Sequence, residues 1–263
     1  MDDIYPILEV LEHPGKKVLA TIIRVQGSAY KREGSSMLFL ENGKQIGMLT
    51  AGCVETDLAV KAEEIFKKQE AKVLHYNISA EDDLNWGQGA GCNGTIDILL
   101  EPVTDKMKED FKIVKRSLDS SKAVIVLKKL EQLGEYLFIE DEGGPLGNWS
   151  GSIPKITYTS KSGIIPGPDT VFQHTFQPKP RLVVFGAGPD AKPLVALAAK
   201  TGFSVTVCDW REGFCQKKYF PNADQLLLGY PKKLLNQISF SPYDFVIIMS
   251  HHFDKDQELL KAL

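Results

Sequence analysis

The sequence predicts an α/β protein: a mixed α+β domain at the amino terminus, followed by a parallel-sheet unit that is expected to be short. Three observations predict it. In the first half, short β-branched runs alternate with segments of helical periodicity, and Asn42-Gly43 between two apolar runs is a hairpin signal. Between Gly147 and Pro180 the periodicity fades into a Pro-, Gly- and Ser-containing connector. From Arg181 the order becomes apolar strand, Ala/Leu-rich helix, apolar strand, which is the parallel crossover unit.

Taken in order, Ile4 to Glu12 sets Ile4, Ile7, Leu8 and Leu11 on one helical face and stops at Pro14-Gly15. Lys17 to Val25 and Ser36 to Leu40 read as strands, with Gln45 to Leu49 the return strand after the hairpin. Val54 to Lys68 repeats Val54, Leu58, Ile65 and Phe66 at helical spacing. Glu55 and Asp57 in its first turn and Lys67-Lys68 in its last suit the helix dipole. Ala71 to Tyr76 and Thr95 to Leu100 are strands on either side of a glycine-rich loop, Trp86 to Gly94, and the second strand is ended by Pro102. A helix over Thr104 to Asp119 and strands over Lys122 to Leu130 and Glu135 to Glu140 complete the mixed domain, with an edge strand expected at Val171 to Phe176. The boundary is placed after Phe176, giving domains 1–176 and 177–263. In the second, Arg181 to Phe185 is a strand, Pro189 to Thr201 a helix, and Ser204 to Asp209 and Phe245 to Met249 further strands.

Composition narrows the function classes. With 263 residues, 43% hydrophobic and 25% charged, the chain is an ordinary globular protein large enough for two cores. A net charge of −3 without a Lys/Arg stripe argues against a nucleic-acid partner. Met1-Asp2-Asp3-Ile4 has no basic, apolar leader pattern, and no apolar run approaches the ~20 residues of a spanning helix, so a cytoplasmic protein is expected. The four cysteines, Cys53, Cys92, Cys208 and Cys215, are widely spaced and read as individual thiols.

Gly186-Ala187-Gly188-Pro189-Asp190-Ala191 fits the G-x-G-x-x-G/A pattern in the context that it demands: a strand before, a helix after, and an acidic residue, Asp209, at the tip of the next strand. This is a Rossmann-type nucleotide fingerprint. Gly186 would allow the tight turn, Gly188 the approach of a pyrophosphate, and Asp209 would accept hydrogen bonds from a ribose diol, with Arg211 softening the preference against a 2′-phosphate. The bland alternative is a fold whose crevice holds something else or nothing.

Cys53 lies between Gly52 and the predicted start of a helix, where unpaired backbone N–H groups would stabilise a thiolate; a small buried cysteine at a tight turn is the equally weighted alternative. Cys92 lies in Trp86-Gly87-Gln88-Gly89-Ala90-Gly91-Cys92-Asn93-Gly94, a backbone free to wrap a ligand or to form a hairpin tip. Cys208 is expected in the core and Cys215 as a bystander in a polar loop. His251 and His252 follow a strand at its carboxyl end, where one of them at most would face the crevice, and Asp254 or Asp256 is expected to cap the next helix.

These residues resemble the XdhC/CoxI accessory proteins of molybdenum hydroxylases. The similarity runs through Ala20-Thr21, Gly27-Ser28, Gly34 with Met37, Gly43, Gly47, and most tellingly Gly52-Cys53-Val54-Glu55. It continues at Gly91-Cys92-Asn93-Gly94, Gly186-Ala187-Gly188, Asp209-x-Arg211, Phe220-Pro221, and Ser250-His251 through Asp256. Tyr30-Lys31, Ala51 and Asn93 depart from the family's usual residues, and the chain stops before its final glycine-containing segment. What the resemblance implies is a chaperone that binds molybdenum cofactor (molybdopterin), protects it during sulfuration, and delivers it to a xanthine dehydrogenase-type hydroxylase in purine catabolism. A cysteine desulfurase as second partner and a homo-oligomer are implied with it. By the same carry-over Cys53 is the cofactor-contacting thiol and metal ligand, with Glu55 and Cys92 as neighbours; Gly52, Gly91 and Gly94 are expected beside them, and Gly186, Gly188, Asp209, Arg211 and His251, from the fingerprint and the strand end, are expected at a cofactor or NAD(P) crevice. The competing reading is an NAD(P)-dependent oxidoreductase using Cys53 or His251 as an acid/base or redox group; a third is a structural scaffold.

Overall fold

The computed structural model describes residues 4–52, 54–78, 93–140, 143–156, 161–165, 167, 169–241 and 244–263. The chain divides between Pro178 and Lys179 into two units.

The first unit holds two antiparallel five-stranded sheets. In one, β1 (Lys17–Ser28) lies between β2 (Ser36–Leu40) and β5 (Asn93–Pro102), with β3 (Gln45–Gly47) and β4 (Lys72–Asn77) at the edges. Alternate residues of a strand face opposite ways, and Val18 to Ile23 of β1 are buried whichever way they face because both sides are covered there. Val18, Ala20 and Ile22 pack with Leu58, Ala62 and Ile65 of α2 (Glu55–Lys68). Leu19 joins the cluster formed by α1 (Ile4–Leu11) and α3 (Asp105–Asp119). Fully burying one such aliphatic side chain stabilises by roughly 1.5–3 kcal/mol. Helix α3 starts where Thr104, its N-cap, accepts a hydrogen bond from Met107 N at 3.2 Å.

The second sheet has the order β8 (Leu146–Asn148), β7 (Tyr136–Ile139), β6 (Val124–Lys129), β10 (Val171–Phe176), β9 (Gly163–Ile165). Here an expectation is corrected: Val171 to Phe176 is not an edge strand but an interior one, paired with both β6 and β9, with Val171 to His174 buried. Its outer partner β9 is three residues long in a proline-containing stretch and has too little periodicity to be seen in the sequence. Lys128 of β6 and Glu101 of β5 form an ion pair with side chains 5% and 3% exposed. Burial pulls Lys128 well below the ordinary lysine range. Such a pair offsets its own desolvation rather than adding much stability, and losing one partner strands the other charge.

The second unit is one parallel sheet in the order β13 (Gln225–Leu228), β12 (Ser204–Asp209), β11 (Arg181–Phe185), β14 (Phe245–Ile248), with helices α4 (Ala191–Lys200), α5 (Pro231–Leu235) and α6 (Phe253–Ala262). Val183, Val184, Val205, Val207 and Cys208 are all fully buried, as strands covered on both faces require. The sequence predicts neither β13 nor α5, since Gln225-Leu226-Leu227-Leu228 and a five-residue helix carry no period of their own. Counted along the chain, the strand order is third, second, first, fourth, so the topological switch point lies between β11 and β14.

Candidate functional site

Two loci collect the residues singled out in the sequence, one in each unit. In the first, the chain leaves β3, turns through residues 49–54, and enters α2 at Glu55. One carboxylate organises that turn. Glu55 Oε1 accepts from the amides of Leu49 (3.0 Å) and Thr50 (2.7 Å). Its Oε2 accepts from the Thr50 hydroxyl (2.5 Å) and the amides of Gly52 (2.9 Å) and Val54 (3.3 Å). Burial alone would raise its pKa, but the hydroxyl and amide of Thr50 with the amide of Leu49 hold it below the ordinary glutamate value. The turn is strained: Ala51 has φ 57° and Gly52 φ 106°, and a left-handed alanine costs about 1 kcal/mol or more unless its surroundings enforce it.

Cys53 itself lies outside the described residues, as do Gly91 and Cys92. Helix α2 begins with Glu55, and its N-cap Val54 has no side chain able to cap it. The Glu55 carboxylate performs that service from inside the helix. Sequence reasoning misses Thr50, whose hydroxyl accepts from Val54 N at 3.1 Å while donating to Glu55. Thr50 stands five residues before Glu55, whereas the capping-box pattern looks three residues back. Gly94, expected in the wrapping loop, instead sits in β5 opposite Gly27. A Cβ there would lie 2.2 Å from the Gln26 carbonyl oxygen, so close strand packing accounts for the glycine.

The second locus is the carboxyl edge of the parallel sheet. Gly186 turns at φ 123°, and a Cβ on it would stand 2.4 Å from the Met249 carbonyl oxygen, so the two strands of the switch point touch through bare backbone. Asp209 is 1% exposed. Its Oδ1 accepts from the backbone and Nε of Arg211 at 2.8 and 2.9 Å, and its Oδ2 from Ala187 N and Arg211 Nη2 at 2.7 Å each. Burial raises its pKa; Arg211 and the amide of Ala187 outweigh that and leave it lowered. The Arg211 guanidinium also lies 4.6 Å from the ring centres of Trp210 and Phe214.

His251, at φ 58°, sends Nε2 to Asp190 Oδ2 at 2.6 Å, whereas the His252 ring meets Trp210 edge-on at 5.9 Å. The two neighbours do point apart. Neither Asp254 nor Asp256 caps α6, whose N-cap is His252; Asp256 instead accepts from the Ser250 hydroxyl. Cys208 is fully buried, and burial pushes its thiol up to about 12. Cys215 is not the solvated bystander that its polar neighbours in sequence suggest: its Sγ lies 3.7 Å from the Leu227 carbonyl oxygen and it packs against the core of the unit. Asp190, already inside the fingerprint, joins this edge through its contact with His251, and Tyr230 and Lys255 complete it through a contact that the sequence does not show.

Among the described residues no three His, Cys, Asp or Glu side chains gather as a metal site, and no helix is long and apolar enough to cross a membrane. Open grooves of about 540 and 460 Å³ lie along α1 and α3 and beside Gly15 to Lys17, with no motif residue in either.

Known proteins align with this arrangement. The model described as the XdhC and CoxI family matches residues 11–77, that of a BH1974-like central domain residues 105–177, and that of the XdhC Rossmann domain residues 182–263. A Bacillus subtilis protein named as a probable xanthine dehydrogenase subunit is 40% identical over 268 residues, spanning 100% of this chain and 81% of its own. The molybdenum cofactor insertion chaperone PaoD of Escherichia coli is 24% identical over 199 residues, 73% of this chain and 52% of its own length. A crystal structure titled as a xanthine dehydrogenase (BH1974) from Bacillus halodurans superposes with a TM-score of 0.87 at 44% identity, covering 100% of this chain and 79% of that one. The chain belongs to the XdhC and CoxI family.

Proposed function

We propose that this protein is an accessory factor in the maturation of a molybdenum hydroxylase of the xanthine dehydrogenase type, carrying the molybdenum cofactor as cargo. The names of its relatives support the reading, one as a cofactor insertion chaperone and one as a probable xanthine dehydrogenase component. The observation that carries it is the turn organised by Glu55, where one carboxylate engages Leu49, Thr50, Gly52 and Val54 on both sides of residue 53. Binding chemistry needs donors placed before the guest arrives, and a strained turn held by charged hydrogen bonds is that kind of preorganisation. Cys53 is the thiol that this turn serves. A thiolate is a soft ligand suited to a sulfur-bound molybdenum centre, and Gly91-Cys92 supplies a second thiol and small backbone for the same guest. In this reading a cysteine desulfurase acts on the carried cofactor before it is handed over.

The test is transfer. The full-length protein is loaded anaerobically with molybdenum cofactor and mixed with an apo-hydroxylase of the xanthine dehydrogenase type, and cofactor reaching the hydroxylase is quantified. Transfer faster than from free cofactor, and slowed by Cys53→Ser, is expected. Equal rates with and without the protein contradict the proposal.

A further inference from the structure

A doubly wound sheet holds a dinucleotide at its switch point, with the pyrophosphate on the amino end of the first helix, the ribose on the acidic tip of the second strand, and the base beyond it toward the third. Every one of these three seats is taken here by a side chain of the protein itself. We propose that this Rossmann unit is self-liganded: Asp190, Arg211 and Lys255 stand in for phosphate, ribose and base, and the crevice is closed to free dinucleotides.

At the phosphate seat, Asp190 is the N-cap residue of α4 and points its Oδ2 at His251 Nε2, 2.6 Å away. A Cβ on Gly188 would lie 2.5 Å from Asp190 Oδ1, so the carboxylate folds back over the second glycine of the fingerprint. An anion therefore stands where a pyrophosphate would arrive, and like charges at contact repel. His251 keeps a left-handed φ of 58° on the other side of the switch point, a conformation that a non-glycine residue holds only when its neighbours fix it.

At the ribose seat, a carboxylate has about four acceptor positions, and Asp209 uses four, three on Arg211 and one on Ala187 N. A ribose diol would have to break two of them. At the base seat, Lys255 Nζ lies 4.8 Å from the ring centre of Trp210 and 4.6 Å from that of Tyr230, so the faces on which a planar base would stack already hold a cation. Beneath this edge, Phe185, Gly186 and Cys208 share with Pro231, Leu234 and Leu259 an apolar void of only about 10 Å³. It is too small and too apolar to hold even a water, so the edge has no enclosed pocket underneath it into which a base or ribose could sink.

Calorimetric titration of the full-length protein tests this with three probes: NAD for the whole crevice, inorganic pyrophosphate for the phosphate seat, and uncharged adenine for the base seat. Wild type is expected to show no NAD binding below ~1 mM. Asp190→Ser should tighten pyrophosphate, and Lys255→Met should tighten adenine, each by about tenfold or more. Asp254→Ser, which removes an exposed acid from the same edge, should leave pyrophosphate unchanged and so separates a seat from a change in net charge. NAD binding to wild type at micromolar concentration overturns the proposal. So does an Asp254→Ser effect equal to that of Asp190→Ser, or the absence of any gain in both Asp190→Ser and Lys255→Met proteins with wild-type circular dichroism.

Discussion

The turn at residues 49–55 and the crevice of the parallel sheet are built from the same chemistry to opposite ends. In each, an aspartate or glutamate with a lowered pKa gathers backbone amides at the start of a helix or the tip of a strand. Glu55 reaches back along the chain and spreads its acceptors over the turn on both sides of position 53. Asp209 instead accepts three bonds from one neighbour, Arg211, and the pair fills its own corner. A carboxylate can prepare a loop for a guest or occupy the guest's place, and the partner that it chooses decides which.

Removing the two carboxylates should separate these roles. The larger effect is expected for Asp209→Ala, which leaves the amide of Ala187 without its acceptor and Arg211 without its partner beside a fully buried strand. We expect a loss of roughly 2–4 kcal/mol, seen in urea unfolding followed through a probe in residues 179–263. Glu55→Ala removes an acceptor from a half-buried turn where water can substitute, so about 1–2 kcal/mol is expected, together with faster amide exchange at Thr50, Gly52 and Val54. If both substitutions cost the same and Glu55→Ala leaves those amides protected, the contrast between the regions fails.

Acid sharpens the same comparison. The folded-state pKa values of Glu55 and Asp209 lie below their ordinary values of 4.5 and 3.8. Their stabilisation is therefore fully present above those values and lost as pH falls through the lowered ones. Unfolding free energy measured from pH 6 to pH 2 should fall less steeply in Glu55→Gln and Asp209→Asn than in wild type, and an unchanged slope in both removes the carboxylates from the acid response. A smaller effect is expected at Ala51: glycine accepts φ 57° without strain, so Ala51→Gly should stabilise by about 0.5–1 kcal/mol or be neutral once chain entropy is counted. Thiol reactivity gives a last contrast. Cys208, with its pKa pushed up to about 12 and its side chain fully buried, should resist iodoacetamide at pH 8 in the native protein and react once the protein is unfolded in urea; equal labelling in both states would contradict this.

Elements with their own period are legible in the sequence. Helix α3 and strands β2, β11 and β12 stand where the patterns of Thr104 to Asp119, Ser36 to Leu40, Arg181 to Phe185 and Ser204 to Asp209 put them. The family is legible too, from short motifs in order. What escapes is set by contacts between residues far apart in the chain. The interior position of β10 depends on β9, and the closing of the crevice depends on His251 meeting Asp190 across 61 positions. The place of Asp209 at a strand tip marks it as an acceptor; its saturation by a residue only two positions later depends on the rotamer of Arg211. Gly94 likewise carries the look of a flexible loop while serving a tight strand pair.

The most direct test of the central claim is anaerobic equilibrium titration of the full-length protein with molybdenum cofactor, comparing wild type, Cys53→Ser and Glu55→Gln. The account predicts binding by wild type that weakens by about tenfold or more in Cys53→Ser and by a smaller factor in Glu55→Gln. Identical affinity in all three would contradict it, because the thiol at position 53 and the turn that Glu55 holds would then have no part in carrying the cofactor.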